Sequence, residues 1–148
     1  LKADGLRGRQ AAVDTGYVDP GVIQYAVALA GATRDPGVVG LPELARYLSF
    51  GASPRASINI VLAARALAYL RGRDYVIPMD ARELAPDVLR HRMVLSYEAL
   101  ADDVSADDLL GPILAAVPLP ETAGGRHTSG VAEPIPANVD PAWYRRPE

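Results

Sequence analysis

The chain contains no cysteine. Disulfides and thiolate metal sites are excluded, and the composition fits a reducing compartment. Histidine is almost as scarce. His91 and His127 stand far apart, and no histidine pair sits at metal-ligand spacing. No hydrophobic run approaches the roughly 18 residues of a membrane span, so membrane insertion is not expected. No basic-then-apolar stretch opens the chain, so no signal peptide is expected. The first residue is Leu1 rather than Met, which reads as a piece of a longer polypeptide. Charge of one sign is not in excess. The net charge is −3 over 148 residues, the wrong balance for holding nucleic acid by counterion release. Neither the Gly-x-x-x-x-Gly-Lys-Ser/Thr loop nor Gly-x-Gly-x-x-Gly occurs, so no self-contained phosphate cradle is expected.

What is present is a set of helix starts. The composition is 49% hydrophobic and 22% charged, ordinary for one globular domain with a real core. Asp19-Pro20 places a capping side chain before a proline at the first helical position. Val22, Ile23, Ala26, Val27, Leu29 and Ala30 follow at helical spacing, to about Thr33. Residues 36–52 read as a loop with a short helical turn from Pro42 to about Leu48. Gly51-Ala52-Ser53-Pro54-Arg55-Ala56 opens the longest helical run, with Ser53 as the expected cap and Gly51 allowing a tight turn of entry. That helix reaches Leu70, is apolar on most sides and is expected to be buried by several neighbours. Gly72 follows as its terminating glycine. Tyr75-Val76-Ile77-Pro78 echoes Tyr17-Val18-Asp19-Pro20, and the two could pair as a tiny sheet. A third helical stretch covers 79–92, with Pro86 expected to kink or split it. Met93-Val94-Leu95 reads as extended. Ser105 and Asp108 resemble a capping box for a fourth helix to about Val117, bent near Gly111-Pro112. The expected fold is all-α: a compact four-helix bundle over 18–117 after a lead-in at 1–17, with at most a minimal two- or three-stranded sheet. Residues 118–148 hold six prolines and three glycines and read as an extended or disordered tail in which Trp143 and Tyr144 could dock.

Most polar candidates have an ordinary explanation. His91 lies at a helix end between Arg90 and Arg92, where a cation suits the dipole. His127 falls in the tail. Asp102-Asp103 and Asp107-Asp108 sit at a helix start, where carboxylates cap. Arginine is the exception: residues 53–97 hold seven arginines against four acids. Arg55 is oddly placed. A cation in the first turn of a helix is unfavourable by roughly 0.3–1 kcal/mol, so an anion is expected nearby, either a protein carboxylate or a bound phosphate.

Several blocks together resemble a known family. They are Gly51 to Ala56, the alanine-rich helix, Leu70-Arg71-Gly72-Arg73-Asp74-Tyr75-Val76, Asp80, and Val88-Leu89-Arg90-His91-Arg92. Tyr17 to Pro20, Tyr25 and Ala32-Thr33-Arg34 extend the match upstream. The set resembles the C-terminal part of the MoxR family of AAA+ ATPases. The resemblance implies a small helical lid that follows an α/β nucleotide-binding domain. That domain would hold ATP and Mg²⁺ and carry the phosphate loop, the acidic Mg²⁺ motif and the arginine finger. Arg55 would be the sensor-2 arginine that reaches the β/γ-phosphates, and Ile23 and Tyr25 are candidates to lie near the adenine, with core packing the alternative for either. Arg71, Arg73, Arg90 and Arg92 match the blocks without an assigned role, bracing the bundle or meeting a neighbouring subunit. The parent would be cytoplasmic and hexameric, remodelling client proteins or partners with von Willebrand A-type domains. The fragment alone would not hydrolyse ATP. Two rival expectations stand beside this one. One is a free-standing helical interaction module with an arginine-rich face. The other is a helical DNA-binding domain, against which the acidity and the apolar second helix argue.

Overall fold

A computed structural model describes residue 13 and residues 15–121. Most of the lead-in and nearly all of the tail, including His127, Trp143 and Tyr144, lie outside the described residues. The order is β1 (Tyr17–Val18), α1 (Pro20–Arg34), two 3₁₀ turns (Pro36–Val39 and Pro42–Tyr47), β2 (Leu48–Phe50), α2 (Arg55–Leu70), β3 (Tyr75–Val76), α3 (Pro78–Leu89), a 3₁₀ turn (Arg90–Arg92), β4 (Val94–Leu95), α4 (Tyr97–Ala101) and α5 (Ala106–Ala116). The molecule is mainly helical, as expected. It has one more short helix than expected, α4, capped by Ser96, whose hydroxyl accepts from the Ala99 amide.

Helix starts follow the sequence where a cap is chemically available. The Asp19 carboxylate accepts from the Gly21 amide at 2.7 Å and opens α1. Ser105 and Asp108 form the capping box that opens α5. At α2 the expectation fails. The helix begins at Arg55 with Pro54 in the capping position and no side-chain cap. The Ala56 amide that the Ser53 hydroxyl would have capped is bonded to Ser53's own carbonyl oxygen at 2.8 Å. Pro86 does not split α3, which runs through it. The bond missing at that proline costs about 3 kcal/mol, and full burial of Ala81, Ala85 and Leu89 offsets it.

The strand echo is real. β1 and β3 pair in parallel, Tyr17 opposite Tyr75 and Val18 opposite Val76. A second small sheet pairs β2 with β4 antiparallel. The core is a three-helix stack of α1, α2 and α3, closed at one side by α5. Val22, Ala26 and Leu29 share one buried core with Ala56, Ile60, Ala64 and Ala68, which repeat every fourth residue along α2. Three of those four are alanine, so the helices approach closely. Only that stripe is buried. The helix packs on several neighbours, as expected, while Ile58 and Leu62 on its other side are 55% and 46% exposed. Leu119 still packs on the core, two residues beyond the expected end at Val117.

The C-terminal end of α1 fixes where α2 begins. A Cβ on Gly51 would lie 2.2 Å from the Thr33 carbonyl oxygen and 2.5 Å from the Arg34 amide nitrogen. Glycine is required there by backbone contact rather than by an unusual dihedral. Beside it the Ala52 amide donates to Thr33 Oγ1 at 2.9 Å, and that hydroxyl donates to the Ala30 carbonyl at 2.8 Å, both buried. Gly51→Ala is expected to destabilise the chain by about 1–3 kcal/mol. Gly31→Ala, where an added Cβ meets nothing within 4 Å, should be neutral or stabilise by up to about 1 kcal/mol. Urea unfolding of the two variants checks the contrast.

Candidate functional site

Arg55 is the first residue of a 16-residue helix, and its side chain is exposed. The first turn of α2 contains no acidic residue. Among the described residues Arg55 makes no ion pair, since the recorded pairs involve Arg71, Arg73 and Arg90. Of the two anions the sequence allowed, a protein carboxylate is therefore not there among the described residues. What remains is a guanidinium added to the partial positive charge of a helix start, open to an oxyanion and aimed by a rigid joint. The joint is the Gly51–Thr33 contact, four residues upstream of Arg55.

Ile23 and Tyr25 are brought near one another in sequence but not on one face. They lie about 200° apart around α1. Ile23 is 45% exposed and can touch a ligand directly. Tyr25 is 3% exposed, and its buried hydroxyl has no hydrogen-bond partner among the described residues. Burial raises the Tyr25 hydroxyl pKa, and the positive charge of Arg82 partly opposes it.

The other family-block arginines turn inward, onto partners of this chain. Asp80 is fully buried at the start of α3. Its carboxylate accepts from Arg73 Nη1 at 2.8 Å and Nη2 at 2.6 Å, from Arg71 Nη1 at 3.1 Å and from the Ile77 amide at 3.0 Å. Arg71 also grips Glu83 at 2.8 and 2.9 Å, and Arg73 reaches the Tyr75 carbonyl. Asp80 thus ties the end of α2, the strand β3 and the start of α3 into one knot. Burial by itself would raise the Asp80 pKa. The Arg73 hydrogen bonds, the Ile77 amide and the charges of Arg73 and Arg71 outweigh it and hold the carboxyl below its usual range. Arg90 bridges Asp87 and Asp107 across α3 and α5, an exposed arrangement that solvent screens. Arg92 donates to the Val88 carbonyl. These four arginines brace the bundle. The arginine-rich docking face of the interaction-module expectation is reduced accordingly.

The paired carboxylates take structural roles too. Asp102 accepts from the Tyr47 hydroxyl at 3.0 Å, Asp107 from Arg90 and Asp108 from Ser105. His91 is exposed in the turn after α3. Among the described residues no three His, Cys, Asp or Glu side chains gather closely enough to hold a metal ion. No helix among them is long and apolar enough to cross a membrane. Sequence reasoning quoted Asp80 but gave it no role. The signal was there: an acid three residues after Ile77, at the position that returns a bond to the helix start, with two arginines close upstream.

The AAA lid domain family matches residues 44–113. Chaperone MoxR1 of Mycobacterium tuberculosis is 47% identical over 118 residues, covering 80% of this chain and 31% of that protein. Protein MoxR of Paracoccus denitrificans is 36% identical over 123 residues, covering 78% of this chain and 36% of that protein. A candidate ATPase from Cytophaga hutchinsonii, known from its crystal structure, superposes with a TM-score of 0.72 at 37% identity. That match covers 75% of this chain and 34% of the other. The chain spans about a third of the length of the curated relatives it matches.

Removing the buried carboxylate should be costly. Asp80→Asn leaves Arg73 without its counter-charge and is expected to lose about 3 kcal/mol at neutral pH. The sign with pH follows from the lowered pKa. The stabilisation is complete above the unfolded carboxyl value of about 3.9 and is lost as pH falls through the lower folded value. Unfolding followed between pH 7 and pH 2 should show this acid loss in the wild type, and less of it in Asp80→Asn.

Proposed function

The chain carries a AAA lid domain of the MoxR family, and on that premise we propose that it closes over ATP held by a preceding nucleotide-binding domain, with Arg55 as its phosphate-contacting residue. One observation carries the reading. Arg55 is an exposed guanidinium at an acid-free helix start, with no ion-pair partner among the described residues, on a backbone that the Gly51–Thr33 contact fixes four residues upstream.

The residues fit the group. ATP with Mg²⁺ supplies the triphosphate and its activation. Arg55 supplies a preorganised cation that favours the charge developing on the β/γ-phosphates. Because the guanidinium belongs to the lid, its contact differs between states with and without the γ-phosphate, so lid position can report nucleotide state. Ile23 offers apolar area to the adenine, and Tyr25 shapes the helix behind it. The exposed Ile58 and Leu62 lie on the same side of α2 as Arg55 and fit a face covered by the preceding domain. In the whole polypeptide the reading is a cytoplasmic, hexameric ATPase. It couples hydrolysis to remodelling or maturing client proteins, among them proteins with von Willebrand A-type domains.

Two measurements of released phosphate test this. The 148-residue chain alone should turn over no ATP. In the longer polypeptide, Arg55→Ala should cut hydrolysis by about a hundredfold or more, while shifting the stability of the 148-residue chain by no more than about 0.5 kcal/mol. Turnover by the short chain, or wild-type turnover by the long variant, contradicts the reading.

A further inference from the structure

A second cation on α2 has no ion-pair partner among the described residues, and it lines a cleft. Arg65 is half-buried. Its Nε is buried with no hydrogen-bond partner, and Arg65 makes no ion pair among the described residues. Burying a charged donor without an acceptor is costly, so an acceptor from beyond the described chain would satisfy it. Arg65 lines a cleft of about 370 Å³ together with Thr15, Gly16, Tyr69, Arg73 and Asp74.

The charges in the cleft define what fits. Arg73 is committed to Asp80. Asp74 repels a highly charged anion, and Arg65 offers one positive charge. A phosphate dianion is over-charged for this balance, whereas one carboxylate on an aliphatic stem matches both the charge and the apolar walls of Ala68 and Val76. Val13, Thr15 and Gly16 line the cleft, and the Tyr17 amide is tied to the Asp74 carbonyl at 2.9 Å, so the start of the described chain lies against the cleft.

We propose that this cleft receives an Asp or Glu side chain of the nucleotide-binding domain in front of Val13, which pairs with Arg65 and anchors the base of the lid. The inference rests on the reading that such a domain precedes the chain. Arg55, Ile58, Leu62, Arg65 and Tyr69 fall within about 80° around α2, with the two arginines about 15 Å apart along the axis. The helix then meets the preceding domain at two charged points, a phosphate at its start and a carboxylate near its end, with apolar side chains between.

Amide hydrogen exchange over 15–18 and 72–76 tests it, in the longer polypeptide and in the 148-residue chain, with Arg65→Met (which keeps the stem) and Arg65→Lys (which keeps the charge). In the longer polypeptide Arg65→Met should speed exchange by about tenfold, with Arg65→Lys between it and the wild type. In the 148-residue chain Arg65→Met should change exchange less than about twofold. Equal acceleration in both chains places the partner inside the short chain, at an acid such as Asp4 or Asp14, and overturns the proposal. No acceleration in either also overturns it. The phosphate role of Arg55 is read separately from hydrolysis, so the two can fail independently.

Discussion

The contact between Gly51 and the Thr33–Arg34 peptide is the constraint on which the rest depends. Two backbones touch there with no room for a Cβ. The Thr33 hydroxyl holds both its own helix and the incoming Ala52 amide. The end of α1 and the start of α2 are thereby one rigid corner. Everything downstream inherits its geometry: the alanine stripe of α2 faces the core, the opposite stripe faces outward, and Arg55 lies exposed in the first turn. A looser corner would leave the guanidinium in a cone of positions, and a preorganised cation is worth most when it does not have to reorganise.

The opposite end of α2 is held by charge rather than by close backbone contact. Asp80 is buried with two arginines and a backbone amide around it. Such a knot adds little net stability over an apolar equivalent, but breaking it is expensive. It sits beside the paired strands β1 and β3, where the chain enters from residue 16. The lid is therefore fixed at both ends of one helix, by packing at the Arg55 end and by an ion-pair knot at the end beside β1 and β3. Between these ends α2 leaves Ile58 and Leu62 uncovered.

The parts legible in the sequence were those decided locally. Asp19-Pro20 and Ser105 with Asp108 marked helix starts because the capping atoms are the side chains themselves. The repeated Tyr-Val before a proline gave the β1–β3 pairing. What was illegible depended on long-range contact. Ser53 looked like a cap, but its own carbonyl took the amide first. Gly51 looked like a turn residue, while its role is to admit Thr33, eighteen positions away. Periodicity marked α2 as apolar without saying how much of it this chain would cover. Arg71, Arg73, Arg90 and Arg92 resembled a docking face in sequence because their acceptors, Asp80, Glu83, Asp107 and the Val88 carbonyl, belong to other turns and helices. Arg55 and Arg65 could be told from them only once the pairs were visible.

The central claim is that the corner at Gly51 aims Arg55 at a phosphate that another part of the polypeptide holds. A structure of the longer polypeptide with a non-hydrolysable ATP analogue tests it directly. The account predicts the Arg55 guanidinium within about 3 Å of a β- or γ-phosphate oxygen, with the Gly51–Thr33 contact unchanged. An Arg55 side chain left in solvent, or paired with a carboxylate while the nucleotide is bound, would contradict it.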